Sequence, residues 1–494
     1  MKKLCIIFIL TFITSTCIFA VNYNEVNKLV SANNIKDAIS LCEQSIETNN
    51  EDIIAKRWLS YLYYVNGQYD ESIKYSLECI EEGKSDTASF ANYAGLSYMN
   101  LDNNKEAINY FDKAIILKKD WSDPYNNKGL IYLKEGDYLG AKNTLLMAYN
   151  IQVAEKNIKK KNINVYMNYA NSLAGLKEYQ EAIKILGFAE KLEPNNKIIH
   201  YNTAVVYFEK GDYENALNRF LKISNLDKEK KDFEATKGVA DSYLKLGKTE
   251  DALKYYEIAI NIKPDFDIYF NSGILLKKQG SFGKAVTYFQ KALEQKSDDY
   301  ETLCELGWAE FKSGNVDICI EHLKKSIDLK SDYLPARINL ATIYSHQKDF
   351  ENAYTQWSHA VLLDPSNSVC KINLANECQN TKKYDEAIDL YNQVIILDTK
   401  YVSAYYGLGT AYLSKATLEE KIDVTLLNKA VEALKIATEK EPTNTDAFIN
   451  LGATYQYLEK YSEAIVAYEK AIKISPNNIV AKENLDNIKK IKGN

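Results

Sequence analysis

Apolar residues recur along most of this chain at helical spacing, in two alternating stripes. Near the C-terminus Leu451, Tyr455 and Leu458 fall at i, i+4 and i+7, and beyond a short polar turn Ala464, Tyr468 and Ala471 do the same. That spacing places each set on one face of an α-helix. The pair of predicted helices, with Leu451-Gly452 early in the first and Pro476 after the second, recurs about every 34 residues towards the N-terminus, and such a period means a stack of helix pairs. The same template finds Leu340, Tyr344, Ala353, Trp357, Ala360 and Pro365, and further back Ala94-Gly95, Tyr98, Ala107, Phe111 and Ala114.

A small residue near the start of the second helix marks each unit. One degenerate unit lies around Ala38, and twelve clearer ones follow around Ser72, Ala107, Ala141, Ala182, Ala216, Ala252, Ala285, Cys319, Ala353, Ala387, Ala430 and Ala464. The turns inside the units carry helix-stop signals such as Glu135-Gly136-Asp137 and Lys210-Gly211-Asp212, where glycine takes a left-handed C-cap. Two insertions interrupt the period, Glu155 to Lys161 and about nine extra residues between Ser414 and Ala430, and both are expected in loops. From Ile479 to Ile491 the stripe Ala481, Leu485, Ile488 opposes Lys482, Glu483, Asp486, Lys489 and Lys490, the pattern of a solvated cap helix.

These residues and their period resemble the tetratricopeptide repeat, over nearly the whole chain. The resemblance implies an all-α fold, a right-handed superhelical solenoid of stacked helix-turn-helix repeats. It implies that the first helix of each pair, helix A, lines a concave groove in which partners lie as extended or helical peptides. The expected organisation is a signal peptide over residues 1–20, a degenerate N-terminal repeat or cap over 21–52, a tandem array of about twelve repeats over 53–478, and a capping helix over 479–494.

Composition agrees with a helical stack. Of 494 residues 46% are hydrophobic, yet the chain holds only 7 Pro and 20 Gly, which helix interiors exclude or disfavour. Many of the 38 Tyr, among them Tyr69, Tyr138, Tyr179, Tyr213, Tyr384 and Tyr461, fall just before a second helix and read as packing residues. The start of the chain differs in kind. Lys2 and Lys3 precede an uncharged apolar run from Leu4 to Phe19 that ends at Ala20, the pattern of an export signal cut before Val21. Retention of the run as a short membrane anchor and lipidation at Cys17 are the alternatives. Export points to a bacterial periplasm or cell envelope as the location.

The formal net charge is −6, and loss of the first 20 residues, with two lysines and no acid, would make it −8. Nucleic-acid partners select basic faces, so this balance argues against them; Lys159-Lys160-Lys161 reads as a solvated loop. Six cysteines lie beyond the leader, Cys42, Cys79, Cys304, Cys319, Cys370 and Cys378, and their spacing indicates no disulfide framework. The four histidines, His200, His322, His346 and His359, lack the i, i+4 pairing of a helix-borne metal site, so no metal or cofactor is expected. Gly247-Lys248-Thr249 and Gly83-Lys84-Ser85 imitate the end of a phosphate loop but lack its first glycine. With no nucleophile elbow, Cys-x-x-Cys or dinucleotide loop, no enzyme is expected.

The groove therefore carries the candidate chemistry. The sixth position of helix A is Asn in seven units, Asn127, Asn168, Asn202, Asn271, Asn339, Asn373 and Asn450, while Trp58, Tyr93, Gly238, Glu305 and Gly407 stand there in others. An amide can donate to and accept from a peptide backbone together, although it also suits an ordinary helix surface. Beside it the middle units offer Tyr201, Val205, Phe208, Phe270, Ile274, Trp308 and Phe311, an apolar patch either open to a partner or closed by the next helix. The unit around Ala387 offers Asn376, Gln379 and Asn380. The function expected is an exported, non-enzymatic scaffold binding a protein or peptide of unidentified kind. The alternatives are a membrane-tethered accessory subunit that recruits an envelope enzyme, and a glycan- or wall-binding module.

Overall fold

The computed structural model describes residues 23–83, 86–157, 161–226 and 231–493. The expected leader and most of the basic run, Lys159 and Lys160, lie outside them. Among the described residues the regular structure is α-helical throughout, without a strand. The chain falls into two compact units, divided at Ile258.

The first unit begins with α1 (Tyr23–Ser31) and α2 (Ile35–Thr48), followed by the pairs α3 (Ile53–Val65) and α4 (Tyr69–Glu81), and α5 (Thr87–Asn100) and α6 (Asn104–Leu117). It continues through α7 (Ser122–Lys134) and α8 (Tyr138–Ala154), then α9 (Ile163–Gly175) and α10 (Tyr179–Leu192). The pair α11 (Lys197–Glu209) and α12 (Tyr213–Leu226) precedes α13 (Phe233–Lys245), and the division falls inside α14 (Thr249–Ile262). The second unit contains α15 (Phe266–Lys278) and α16 (Phe282–Gln295), then α17 (Tyr300–Ser313) and α18 (Val316–Leu329). Next come α19 (Leu334–His346), α20 (Phe350–Leu363), α21 (Ser368–Asn380) and α22 (Tyr384–Leu397). The chain closes with α23 (Val402–Ala416), α24 (Val424–Lys440), α25 (Thr445–Tyr457), α26 (Tyr461–Ile474) and α27 (Ile479–Gly493). Odd-numbered helices up to α25 are helix A of a pair, even-numbered ones helix B.

Local chemistry sets the boundaries. Many A helices start on an Asp or Asn side chain that accepts from the first turn, as Asp52 does from Ile54 and Ala55, and Asn444 from Ala447. They end in a left-handed residue, Gly136 at φ 76° or Gly211 at φ 85°, and the amide three places beyond the helix reaches back to close the turn. Asp137 N donates to Tyr132 O and Asp212 N to Tyr207 O, each at 2.9 Å. The six tyrosines expected just before helix B are its first residue, most of them half-buried with Tyr138 exposed.

Small residues then let the helices close on one another. The marker residue of helix B is 0% exposed in every unit from Ala38 to Ala464, Ser72 and Cys319 included. Four places further on, a large side chain of helix B lies across a glycine of its own helix A. A Cβ on Gly95 or Gly273 would come within 2.6 Å of the Phe111 or Phe289 ring. In two units where that helix-A position is Ala, at Ala204 and Ala375, the ring leans forward onto the following helix A: Phe220 lies over Gly238 and Tyr391 over Gly407. This explains two of the gaps in the Asn series, because an Asn at 238 or 407 would occupy the space the ring fills.

The second insertion is more helical than expected, while the described residues of the first lie in a loop as expected. Around the second, α23 extends to Ala416 and α24 begins at Val424, because the Asp423 carboxylate caps α24 at the amides of Thr425 and Leu426 (2.8 and 3.1 Å) and Leu427 is fully buried. The loop itself is 417–423. At the first insertion α8 runs on to Ala154, and buried Gln152 pins the returning chain, donating to Ser122 Oγ and accepting from Asn162 N at 2.7 Å each. At the C-terminal end α27 buries Ala481, Leu485 and Ile488 and exposes Lys482, Glu483, Asp486, Lys489 and Lys490.

The same substitution should therefore act with opposite sign at two glycines. Gly273→Ala forces a methyl against the Phe289 ring and should cost about 1–3 kcal/mol. Gly187→Ala, inside α10 with nothing within 4 Å, should gain about 0.5–1 kcal/mol by restricting the unfolded chain. Chemical denaturation of the two variants checks this; equal effects would remove ring-over-glycine packing as the cause.

Candidate functional site

The A-helix face of the first unit contains an open depression of about 450 Å³ built by α7, α9 and α11. Its floor is apolar, with Leu130, Leu133, Ala174 and Val205, and its polar groups are Asn168, Asn171, Asn202 and the Tyr201 ring, between Lys134 and Glu209. These side chains meet because they share helix-A positions on consecutive A helices. A second depression, of about 200 Å³, adjoins it between α11 and α13 and takes in Tyr201, Val205, Phe208 and Phe220. Tyr201 meets Phe220 edge-on at 5.8 Å, and Phe208 meets Tyr213 at 5.1 Å.

The seven asparagines are all half-buried and divide into two groups. Four are spent on the seam between repeats. Asn127 Nδ2 donates to Asn92 Oδ1 (3.1 Å), Asn168 to Asn126 Oδ1 (2.9 Å), Asn339 to Cys304 Sγ (3.3 Å) and Asn450 to Tyr406 OH (3.1 Å). Each acceptor belongs to the preceding helix A, so these amides tie neighbouring repeats together. Among the described residues Asn202, Asn271 and Asn373 make no such bond, and Asn202 faces the depression. The polar group offered near Ala387 is also occupied: Tyr391 OH donates to Asn376 Oδ1, and Gln379 Nε2 donates to Tyr391 OH at 2.8 Å.

The expected aromatic patch separates into local pairs. Tyr201 and Phe208 belong to the first unit. In the second, Phe270 stacks on Phe266 at 6.1 Å, while Trp308 packs on Phe311 at 5.6 Å and Phe311 on His346 at 5.3 Å. Lys312 lies 4.9 Å above the Trp308 ring, and Glu305 pairs with Lys277 of the preceding helix A. The Tyr, Phe and Trp rings of these pairs are half-buried, and His346 is exposed.

Buried polar groups hold α11 in place. His200, fully buried, donates from Nε2 to Pro194 O at 2.8 Å, which leaves Nδ1 as an acceptor 3.4 Å from the Arg219 guanidinium. Burial, with Lys222 and Arg219 nearby, lowers its pKa below the ordinary 6.5, so the ring is neutral. Burial alone would raise Glu190, but hydrogen bonds from Arg219 (2.7 Å) and Lys222 (3.0 Å) outweigh it and hold its pKa below the usual carboxylate range. The six described cysteines are buried and free, and burial lifts Cys42, Cys79, Cys304 and Cys378 to about 12, which makes them packing groups rather than nucleophiles. No cluster of three or more His, Cys, Asp or Glu among the described residues is placed to hold a metal.

Family models described as tetratricopeptide repeat match residues 92–120, 169–224, 239–300 and 445–478, and one described as TPR repeat matches 376–415. The chain is a tetratricopeptide repeat protein. It is 25% identical over 213 residues to human tetratricopeptide repeat protein 6, across 42% of this chain and 38% of that one. To the TPR repeat-containing protein MJ1428 of Methanocaldococcus jannaschii it is 24% identical over 315 residues, across 53% of this chain and 55% of the other. The chain thus spans about half or less of the length of these relatives. Among solved structures, a chain of the APC/C hetero-tetramer Cut9-Hcn1 is 13% identical across 94% of this chain and 95% of its own, with a TM-score of 0.37. Tetratricopeptide repeats generally bind protein or peptide partners.

Two features of this repeat array escaped the sequence. The seam role of Asn depends on which polar side chain sits one place earlier in the preceding helix A, and that acceptor is Asn at 92 and 126 but Cys at 304 and Tyr at 406. The second is an aromatic depression formed by Trp58, Tyr61 and Tyr93 near the N-terminus, where the Asn series is replaced.

Two outcomes follow. Asn168→Ala should loosen the α7–α9 seam by about 0.5–1.5 kcal/mol, whereas Asn202→Ala should leave stability within about 0.5 kcal/mol; hydrogen exchange of the two variants separates them, and equal losses would merge the groups. His200 binds a proton more readily unfolded than folded. Its contribution is complete above about pH 6.5 and falls as the pH drops from there towards its lowered folded value. The first unit should melt lower at pH 5.5 than at 7.5, with the difference reduced in His200→Gln, and an unchanged difference would place the titration elsewhere.

Proposed function

We propose that this chain is a non-enzymatic scaffold that holds an extended or helical protein segment against its A-helix face, with α7, α9 and α11 as the principal binding surface. The observation that carries the reading is the depression where Tyr201 and the uncommitted Asn202 amide stand over an apolar floor. Apolar side chains of a partner would displace water from Leu130, Leu133 and Val205, while the amides meet its backbone. Within the second unit, Asn271 and Asn373, with Phe270, Trp308 and Phe311, offer the same chemistry as a surface of their own.

Export to a cell envelope belongs to the proposal, supported by Lys2, Lys3 and the uncharged run that follows them. The mass of the mature N-terminus tests it, since a chain starting near Val21 removes the tether that a membrane-bound accessory subunit needs.

The binding test uses a partner captured from the native envelope and titrated calorimetrically against variants of proven helicity. Asn202→Ala should weaken binding by about 0.5–1.5 kcal/mol and Tyr201→Ala by about 2 kcal/mol, as expected for a central aromatic anchor. Unchanged affinity in the double variant would move the binding surface off this face.

A further inference from the structure

At its N-terminal end the first unit presents a different surface on the same A-helix face. A depression of about 560 Å³ lies between α1, α3 and α5, lined by Trp58, Tyr61 and Tyr93 with Ile54, Arg57 and Ser89. Trp58 and Tyr93 occupy the place that Asn takes further along. The rings are mutually inclined: Trp58 to Tyr61 is 6.3 Å at 64°, Tyr61 to Tyr93 5.6 Å at 52°, and Tyr93 to Tyr64 6.3 Å at 35°. Inclined rings at these separations form ridges with clefts between them, rather than one flat platform.

The polar groups are as uneven as the surface. Trp58 offers an indole N–H, and Tyr61 and Tyr93 offer hydroxyls, and among the described residues none of the three has an intramolecular hydrogen-bond partner. The Asp86 carboxylate beside Arg57 is already taken by the Arg57 guanidinium and by Ser89 Oγ at 2.7 Å. The depression therefore presents three unpartnered donors with the nearby Asp86 carboxylate already paired, and its remaining acceptors are the weaker phenol oxygens of Tyr61 and Tyr93.

A proline-rich segment has the complementary inventory. Proline carries a carbonyl but no N–H, and a polyproline II helix makes no internal hydrogen bonds, so its carbonyls face outward at three residues per turn while its rings form ridges that fit aromatic clefts. A sugar, by contrast, presents hydroxyl donors as well as acceptors, which an open carboxylate would serve better than the phenol oxygens present here. We propose that the Trp58–Tyr61–Tyr93 depression docks a proline-rich segment of a partner protein in the polyproline II conformation. The proposal rests on the reading of the A-helix face as the binding surface and adds a second, chemically distinct station to it.

A proline decapeptide is the probe, titrated into the full array and followed by heat and by tryptophan fluorescence, beside a Gly-Ser decapeptide and a chitin hexasaccharide. Saturable binding of the proline peptide alone is expected. Tyr61→Ala should weaken it at least 10-fold; because Tyr61 also packs against core residues, the ring-preserving double variant Tyr61→Phe, Tyr93→Phe is measured too and should weaken it about 5-fold with native helicity. No binding of the proline peptide, equal or tighter binding of the hexasaccharide, or proline binding indifferent to both variants overturns the proposal. If the proline peptide fails while the captured partner still depends on Tyr201 and Asn202, this inference falls and the functional reading stands. If the proline peptide binds as expected while the partner ignores Tyr201 and Asn202, the proline site stands and the α7–α11 reading falls.

Discussion

Everything in this chain depends on how closely helix B can approach the A helices on either side of it. The thirteen small residues that mark the units are fully buried, and from Ala107 onward the residue one turn along helix B is a bulky ring or leucine, which in most units lies against a glycine of a neighbouring helix A. Close-packed interiors tolerate neither a void nor an extra methylene at such a crossing. The contact is met in two ways, backward onto the glycine of the same repeat or forward onto the glycine of the next. Phe289 over Gly273 shows the first and Tyr391 over Gly407 the second. A forward-leaning ring removes a groove amide from the next repeat, so core packing decides directly which polar groups reach the binding face.

Hydrogen bonding between repeats makes a second demand on the same face. An Asn at the sixth helix-A position stands beside the preceding helix A, where its Nδ2 finds Asn92, Asn126, Cys304 or Tyr406. A half-buried amide without a partner loses more than a satisfied one gains, and so a run of similar residues divides by its neighbours. Asn202 has an open depression in front of it; Asn339 has a sulfur within reach. The surface left for a partner is narrower than the repetition of Asn suggests, and more local: amides over an apolar floor at α7 to α11, donor-rich aromatics at α3 and α5.

The helix pairs, their turns, the buried marker residues and the polar outer stripe of the last helix were all legible in the sequence, because each follows from spacing within one helix or from a glycine at a turn. The second insertion was less so. It reads as a loop, yet Asp423 and Leu427 draw part of it into α24 through a cap and a buried contact that spacing alone does not contain. The aromatic patch expected from Tyr201 to Phe311 was legible only as composition, since the ring pairs form through side-chain directions on successive helices.

The sequence by itself determined the repeating unit and hence the family, because a period of about 34 residues with apolar stripes on two helices is satisfied only by stacking pairs. It determined which face of each helix is buried, since helical periodicity assigns faces. Tertiary structure alone decided which groove residues are free. Whether Asn202 or Asn168 can meet a partner depends on atoms 35 to 42 residues away in chain order, such as Asn126 at 2.9 Å from Asn168, and those distances are set by the packing of neighbouring helices rather than by the periodicity of any one of them.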